Sequence, residues 1–176
     1  MSDPETSPAD ARRHERFAEI CRDHGGLIAR TTYAFAPDRA DRADLGQEIL
    51  LAIWHALPQF DARARLTTYI YRVSLNCALN WRRSQRRYRL RLDHYHDFVP
   101  ELEAGSAADQ DRLRWLYAEI HALPPVDRSL ILLSLDRVGY AEIAEITGLS
   151  ESNVGVRLHR IKQHLTNASE KYRHEN

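Results

Sequence analysis

Apolar residues recur along most of this chain at spacings of three and four positions, which is the repeat of one face of an α-helix. The pattern predicts a first helix through Phe17, Ile20 and Leu27, weakened or bent at Gly25-Gly26. Further helices are predicted over 41–57, from Thr67 or Thr68 to Arg91, from about Asp111 to Leu123, and over 126–137. No run of residues suggests a strand, so the predicted fold class is all-α.

The segment 139–162 has the pattern of a helix-turn-helix. Ile143 and Ile146 mark the buried side of its first helix, and Gly148 supplies the backbone freedom that a sharp turn needs. Ser150 is placed to cap the second helix. The buried stripe of that second helix consists of Val154, Leu158, Ile161 and Leu165. Basic residues lie outside the stripe, so the motif predicts contact with DNA.

Helical periodicity fails between the two halves of the chain, where acids, Pro100, Gly105 and small residues accumulate. This composition is typical of a linker of mixed flexibility. We therefore expect two small helical bundle domains joined by a flexible linker. The predicted segments are a disordered tail at 1–9, an N-terminal domain at 10–92, the linker at 93–110, a C-terminal domain at 111–170 and a tail at 171–176.

The overall composition limits the kinds of protein this chain can be. Apolar residues make up 43% of it and charged residues 28%, while the net charge is zero. Any affinity for nucleic acid must therefore come from local clusters of charge. The start of the chain lacks the features of a signal peptide, and no apolar run approaches the roughly 20 residues that cross a bilayer, so we expect a cytoplasmic protein. Cys21 and Cys77 fit neither a disulfide scaffold nor a metal site, and Cys21 is expected to be a buried thiol.

One cluster of charge follows the third predicted helix. Six arginines and no acid lie between Arg82 and Arg91. Arginines at a helix end also interact favourably with the helix dipole, but this density favours neutralisation by nucleic acid. Aromatic residues that precede or adjoin this run are Phe60, Tyr69, Tyr71 and Trp81. Aromatic rings beside basic side chains are suited to the bases of opened DNA.

Other polar groups carry weaker signals. Asp44, Gln47 and Glu48 form a polar edge on the second helix that, taken alone, reads as a solvated face. The segment 93–97 contains two histidines, but no second cluster stands at ligand spacing, so no metal is predicted. Catalytic triads, phosphate-binding glycine loops and paired catalytic carboxylates do not occur in a convincing context. The sequence thus predicts neither an enzyme nor a bound cofactor.

The order of these parts resembles one protein family. Two stretches, 44–60 (Asp-Leu-Gly-Gln-Glu-Ile-Leu-Leu-Ala-Ile-Trp, then Ala-Leu-Pro-Gln-Phe from position 56) and 66–76 with its trailing arginines, closely resemble bacterial extracytoplasmic-function sigma factors. The segments 123–128 and 157–160 are similar to the C-terminal domain of the same family. The resemblance implies a transcription initiation subunit that has no catalytic activity of its own, binds core RNA polymerase and promoter DNA, and is restrained by an anti-sigma protein.

The resemblance also implies roles for particular residues. Those expected to bind core polymerase are Asp44, Gln47, Glu48 and Leu51. Those expected at the minus-ten element are Phe60, Asp61, Arg63, Arg65, Tyr69, Arg72, Asn76, Asn80, Arg82, Arg83, Arg86 and Arg87, with the loop of the first three capturing an unstacked base. Those expected at the minus-thirty-five element are Ser152, Asn153, Gly155, Val156, Arg157, His159, Arg160 and Lys162.

The recognition helix departs from the family pattern at two positions. Relatives usually carry a basic residue and a serine where this chain has Gly155 and Val156. Glycine removes a side chain that commonly reads a base, and valine can touch a thymine methyl group but cannot donate a hydrogen bond. We therefore expect a divergent upstream element, with Arg157, His159 and Arg160 carrying more of the contacts.

Two other functions remain open on the sequence. The chain could be a two-domain helix-turn-helix regulator that never joins polymerase, in which case reversing the charges at Asp44 and Glu48 would leave polymerase binding unaffected. It could instead be a structural adaptor whose helices bind only proteins. Salt-dependent affinity for DNA would separate the adaptor from the other two readings, because counterion release follows the number of phosphates neutralised.

Overall fold

A computed structural model describes residues 8–89 and 106–175 of the chain. Both described ranges are helical and contain no strand, which confirms the all-α fold class. The α-helices are α1 (Pro8–Phe35), α2 (Arg39–Ala56), α3 (Leu66–Arg89), α4 (Ala107–Ala122), α5 (Pro125–Leu135), α6 (Tyr140–Thr147) and α7 (Glu151–Glu175). A short 3-10 helix, Leu57–Gln59, follows α2 directly.

The first three helices pack against one another and form the core of the N-terminal half. Their apolar stripes are fully buried, as Ile20, Ile49, Ile53 and Ile70 illustrate. Helix α1 continues through Gly25-Gly26, where the sequence predicted a weak point. Each glycine costs about 1 kcal/mol in a helix, and the apolar stripes on both sides of the pair offset this by packing on the other two helices.

Helices α4 to α7 form the core of the C-terminal half, and α6 and α7 are the predicted helix-turn-helix. Gly148 between them has a φ of 73°, the left-handed conformation that favours glycine. The Ser150 hydroxyl accepts a hydrogen bond from the backbone N–H of Asn153, as expected of a capping residue. Val154 and Leu158, which belong to α7, are fully buried.

Three helices extend into segments that the sequence predicted to be tail or linker, and the other predicted bounds differ by one or two residues. Helix α1 begins at Pro8, inside the predicted tail. Helix α4 begins inside the predicted linker because Ser106 and Asp109 form a capping box, each side chain bonding the other residue's backbone N–H. Helix α7 continues to Glu175 through the predicted C-terminal tail, and the ring of Tyr172 stacks on Trp115 of α4 at 5.4 Å. The rest of the predicted linker, with the histidines of 93–97, lies outside the described residues.

The two halves also contact each other directly. Asp136, just after α5, accepts a hydrogen bond from the Tyr71 hydroxyl at 2.6 Å and pairs with Arg30 at 2.8 Å. Hydroxyl Oγ1 of Thr68 on α3 donates to Glu142 on α6. One carboxylate therefore joins both α1 and α3 to the C-terminal half, and we call this arrangement the Asp136 junction.

A buried arginine forms a second connection between the halves. Arg128 of α5 is fully buried, and its guanidinium donates to the backbone carbonyls of Ala34 at 3.0 Å, Leu123 at 3.0 Å and His121. Ala34 belongs to α1, whereas the other two carbonyls end α4. Burial lowers the pKa of Arg128 to about 9. Its hydrogen bonds fix the turn between α4 and α5 against the end of α1.

Candidate polymerase and DNA surfaces

The four residues predicted to bind polymerase share one exposed surface of α2. They are Asp44, Gln47, Glu48 and Leu51, and we call their surface the α2 face. Their spacing of three and four residues places them along one side of the helix. Leu51 is 55% exposed. It borders an open groove of about 530 Å³ between α1 and α2, lined also by Phe17 and Trp54.

The loop before α3 is held in a defined shape by Asp61. Its carboxylate accepts a hydrogen bond from the backbone N–H of Arg63 at 3.1 Å and pairs with the Arg63 Nε at 2.9 Å. Ala62 between them has a φ of 61°, a conformation that costs a non-glycine residue about 1 kcal/mol. Arg63 and Arg65 are exposed, so this loop presents cations to solvent.

Phe60 and Tyr69 form the aromatic part of the same region. Their ring centroids lie 5.1 Å apart, and both side chains are half-buried. The Tyr69 hydroxyl donates to the carbonyl of Ala56 at 2.9 Å, so this side chain ties the start of α3 to the end of α2. The Arg16 guanidinium lies 5.2 Å from the Phe60 ring. Tyr69 thus has a structural role that the sequence did not predict.

Helix α3 exposes part of the predicted minus-ten set. Asn76, Asn80 and Arg83 are exposed, and Arg83 donates to the Asn80 side chain at 3.3 Å. Arg82 is half-buried. Arg86 and Arg87 lie within the last turns of α3, and nothing is described of their side chains. The exposed members of this set therefore lie along α3 from Asn76 to Arg83.

Arg72 differs from the other predicted minus-ten residues because it contacts the C-terminal half. Its guanidinium pairs with Glu145 of α6 at 3.4 Å and also donates to the Glu145 backbone carbonyl at 3.2 Å. The first helix of the helix-turn-helix therefore covers part of the α3 surface that was predicted to meet DNA.

A groove between α2 and α3 connects the α2 face with the predicted DNA surface. Glu48, Asn76, Cys77 and Asn80 line this groove. Burial, and next the negative charge of Glu48, raise the pKa of Cys77 to about 11. Burial also raises the pKa of Cys21, which is half-buried and not fully buried as expected. Both thiols are protonated at neutral pH and are therefore weak nucleophiles.

Most of the predicted minus-thirty-five residues lie on the solvent side of α7. The exposed ones are Ser152, Asn153, Val156, His159, Arg160 and Lys162. Gly155 is half-buried, and Val156 is 53% exposed. A helix advances about 100° per residue, so Ser152, Val156, His159 and Arg160 share the side opposite the buried stripe.

Arg157 is arranged differently from its neighbours on α7. Its Nε donates to Asp127 of α5 at 2.7 Å, and both side chains are partly buried. The pair fixes the recognition helix on α5, a role that the sequence did not predict. The expectation that Arg157 carries additional DNA contacts stays a prediction.

Sequence reasoning missed Tyr140, the first residue of α6. Its side chain is 42% exposed and stands beside Gly155 of the recognition helix. A Cβ atom placed on Gly155 would lie 3.6 Å from the Tyr140 Cε2 atom, which is ordinary van der Waals contact. No sequence signal reveals this neighbour, because the contact depends on how α6 crosses α7.

Two other kinds of site are absent from the described ranges. Residues 8–89 and 106–175 hold no group of three or more histidine, cysteine, aspartate or glutamate side chains arranged for a metal ion. Within the same ranges, no helix has the length and apolar character needed to span a bilayer.

Comparison with known proteins matches both halves of the chain. The family model for sigma-70 region 2 matches residues 20–88, and the model for sigma-70 region 4 matches residues 113–165. The RNA polymerase sigma factor NccH of Alcaligenes xylosoxydans xylosoxydans is 25% identical over 94% of this chain and 96% of its own length. The chain therefore spans almost the whole of this relative.

Two solved structures share the fold. The sigma factor RpoE of Bartonella quintana, solved with the anti-sigma factor NepR, superposes with a TM-score of 0.74 at 16% identity, covering 89% of this chain and 98% of that one. CnrH, solved with the cytosolic domain of CnrY, superposes with a TM-score of 0.65 at 23% identity, covering 90% of each chain. Since its two halves match region 2 and region 4 of one family in that order, the chain belongs to the sigma-70 family as an RNA polymerase sigma factor of the extracytoplasmic-function type, which directs promoter recognition and transcription initiation.

Proposed function

We propose that three exposed surfaces divide the work of this sigma factor. The α2 face docks on core RNA polymerase, the loop at Phe60 with the exposed side of α3 engages the minus-ten element, and α7 reads the minus-thirty-five element. The observation that carries the proposal is that each set has exposed polar members on a separate part of the molecule: α2 for the first, the loop and α3 for the second, and α7 for the third. The protein itself needs no catalytic group for this work, and we propose that it acts in the cytoplasm, where polymerase and DNA are found.

The α2 face has the composition of a protein-binding surface. Asp44 and Glu48 supply negative charge, and exposed Leu51 supplies an apolar contact beside the groove with Trp54. Apolar side chains that are central and surrounded by polar groups commonly provide most of the binding energy in such interfaces. A partner with a basic, partly apolar helix surface would complement this arrangement.

Charge reversal tests the docking surface directly. The double variant Asp44→Lys/Glu48→Lys should no longer co-elute with core polymerase, because like charges at an interface are strongly unfavourable. Glu170→Lys, an exposed acid near the end of α7, is the matched control and should co-elute as the unchanged protein does. Normal co-elution of the double variant would contradict the α2 assignment, whereas failure of the unchanged protein itself to co-elute would favour a regulator that never joins polymerase.

The minus-ten region combines cations with aromatic rings. Arg63 and Arg65 are exposed in the loop, and Asn76 and Asn80 present hydrogen-bonding groups along α3. Phosphate contacts by arginine supply affinity, while a ring such as that of Phe60 offers a surface on which an unpaired base can stack. Binding a flipped base offsets part of the cost of opening the duplex, so this loop would couple recognition to strand separation.

The contacts between the halves imply that the protein must open before it engages a whole promoter. The two elements are centred about 25 base pairs apart, which is about 85 Å of B-DNA at about 3.4 Å per pair. With α6 packed on α3, both DNA-reading surfaces lie within one compact body. The Asp136 junction and the Arg72–Glu145 pair must therefore break when polymerase binds, and the free protein should bind promoter DNA poorly.

We further propose an anti-sigma protein as the partner of the closed form. The solved relatives RpoE and CnrH were both captured with a partner, the anti-sigma factor NepR and the cytosolic domain of CnrY, respectively. A partner that holds the two halves together would keep Arg72 in contact with Glu145. Its addition should prevent co-elution of this chain with core polymerase.

A further inference from the structure

The recognition helix lacks a polar side chain at two adjacent positions, Val156 on its DNA side and Gly155 at the border of that side. Gly155 offers only backbone, and Val156 is 53% exposed with no group that can donate or accept a hydrogen bond. An exposed β-branched apolar residue gains nothing from solvent, and glycine costs about 1 kcal/mol in a helix interior. The presence of Gly155 and Val156 is therefore not explained by a contribution to the stability of α7.

Tyr140 completes an apolar surface around these two positions. Its ring atoms Cε2 and Cδ2 lie 3.6 Å and 3.8 Å from the point where a Gly155 Cβ would stand. A long side chain at 155 would have to share this space with the ring, which is itself 42% exposed. The ring thus borders the bare backbone of Gly155 on one side, while Val156 follows on the DNA side of the helix.

We propose that Tyr140 and Val156, with half-buried Gly155 and its lack of a side chain between them, form a surface that reads thymine 5-methyl groups in the upstream promoter element. The thymine methyl is the one apolar group that a base pair presents in the major groove. Glycine allows the DNA to approach the helix closely, and the two apolar side chains then remove the methyl from water. Tyr140 becomes a specificity-determining residue of the helix-turn-helix, in addition to the residues of α7.

The inference rests on the proposed role of α7 at the minus-thirty-five element, so the experiment must separate the two. Holoenzyme made from the full chain and core polymerase is bound to a promoter fragment selected from a random upstream library. Each upstream thymine is then replaced singly by deoxyuridine, which removes only the methyl group. At one or more positions we expect affinity to fall about fourfold, the effect of exposing one buried methyl.

Variants of the two side chains locate the effect. Val156→Ala and Tyr140→Ala should each reduce the difference between thymine and deoxyuridine to less than twofold. Tyr140→Phe should keep the difference, because the ring and not the hydroxyl makes the surface. Both side chains are exposed, so the variants should retain the thermal unfolding temperature of the unchanged protein, which serves as the folding control.

The outcomes distinguish three results. If every deoxyuridine substitution leaves affinity within twofold while Arg160→Ala lowers it for all fragments, the methyl-reading surface is overturned and α7 still binds the element. If Arg160→Ala and complete replacement of the upstream element both have no effect, the role of α7 itself fails. If Tyr140→Phe weakens all fragments equally and the thymine preference persists in Tyr140→Ala, the tyrosine contacts phosphate and is not part of the reading surface.

Discussion

Two groups of arginines, one from each half of this sigma factor, have opposite roles. In the N-terminal half, Arg63, Arg65 and Arg83 are exposed, and the contacts described for Arg63 and Arg83 are local ones. In the C-terminal half, Arg128 is fully buried and Arg157 is fixed to α5. The first group is available to a polyanion, whereas the second group holds helices in position.

The difference follows from what surrounds each guanidinium. An exposed ion pair contributes little to stability because water and salt screen it, so the exposed cations cost little when DNA replaces their partners. A buried guanidinium is stable only where fixed acceptors meet it, as the three carbonyls meet Arg128. Arginine count alone therefore does not indicate a DNA surface.

Replacing Arg128 gives the largest expected effect and tests the structural half of the comparison. Arg128→Met keeps the volume but leaves the carbonyls of Ala34, His121 and Leu123 without this donor. We expect the free energy of unfolding to fall by about 3 kcal/mol in urea denaturation. The exposed Arg114→Met, whose partner Asp111 is also exposed, should change it by less than about 0.5 kcal/mol. Equal losses of unfolding free energy in the two variants would contradict the distinction between structural and exposed arginines.

Acid should weaken the C-terminal half through His121. Burial, and next the charge of Arg128, lower the pKa of His121 to about 4 from its usual 6.5. Between pH 4 and 6.5, His121 binds a proton more readily in the unfolded chain than in the folded protein. The stability that depends on neutral His121 is therefore fully present above pH 6.5 and is lost as the pH falls towards 4. We expect this loss to reach about 3 kcal/mol at pH 4, from a difference of about 2.5 in pKa at about 1.36 kcal/mol per pKa unit.

The variant His121→Asn isolates that contribution from those of the carboxylates. Its stability, measured by urea denaturation from pH 4 to pH 7, should fall less steeply with acid than that of the unchanged protein. His55→Asn, which replaces an exposed histidine of the N-terminal half, should leave the slope as it is. Parallel curves for all three proteins would contradict the role of His121.

Asp136→Asn tests the contact between the halves. The amide keeps the size of the side chain but cannot accept charge-assisted hydrogen bonds from both Tyr71 and Arg30. We therefore expect the free energy that favours contact between the two halves to fall by about 1–2 kcal/mol. Small-angle scattering should show a larger radius of gyration, and the free variant should bind a promoter fragment more tightly. Asp111→Asn, which breaks an ion pair within α4, should alter neither measurement.

Gly155→Ala has the smallest expected effect. It tests whether α7 needs a position without a side chain in order to bind its DNA element. The added Cβ fits beside Tyr140 at ordinary contact distance, and alanine favours the helix by up to about 1 kcal/mol. Thermal unfolding should therefore show a slight gain in stability, while the affinity of holoenzyme for its promoter should fall. A gain in both thermal stability and promoter affinity would indicate that the absence of a side chain at position 155 has no function.

Local structure was largely predictable from the sequence, because local signals determine it. The apolar repeat, the turn at Gly148 and the cap at Ser150 act between residues close in the chain, and all three are found as expected. The early start of α4 was predictable in principle from Ser106 and Asp109, which have the spacing of a capping box. The surrounding small and acidic residues concealed it.

The contacts that join distant segments were not predictable. From the sequence alone, Arg128 would be taken for a surface cation, because its acceptor on α1 is distant in the chain. Arg72 would be taken for a DNA contact, because its partner Glu145 is also distant. Both depend on segments more than 70 positions apart, and no periodic pattern encodes such a meeting. The role of Tyr140 is hidden for the same reason, since its neighbour Gly155 belongs to the next helix.

The Asp136 junction has a consequence for recombining sigma factors. A single carboxylate serves two donors, Tyr71 on α3 and Arg30 on α1, so each bond depends on the other being in place. A hybrid that takes its first half from one family member and its second half from another would inherit only part of this set. Such hybrids should lose the resting closed shape and be active without their usual restraint unless all three residues are transplanted together.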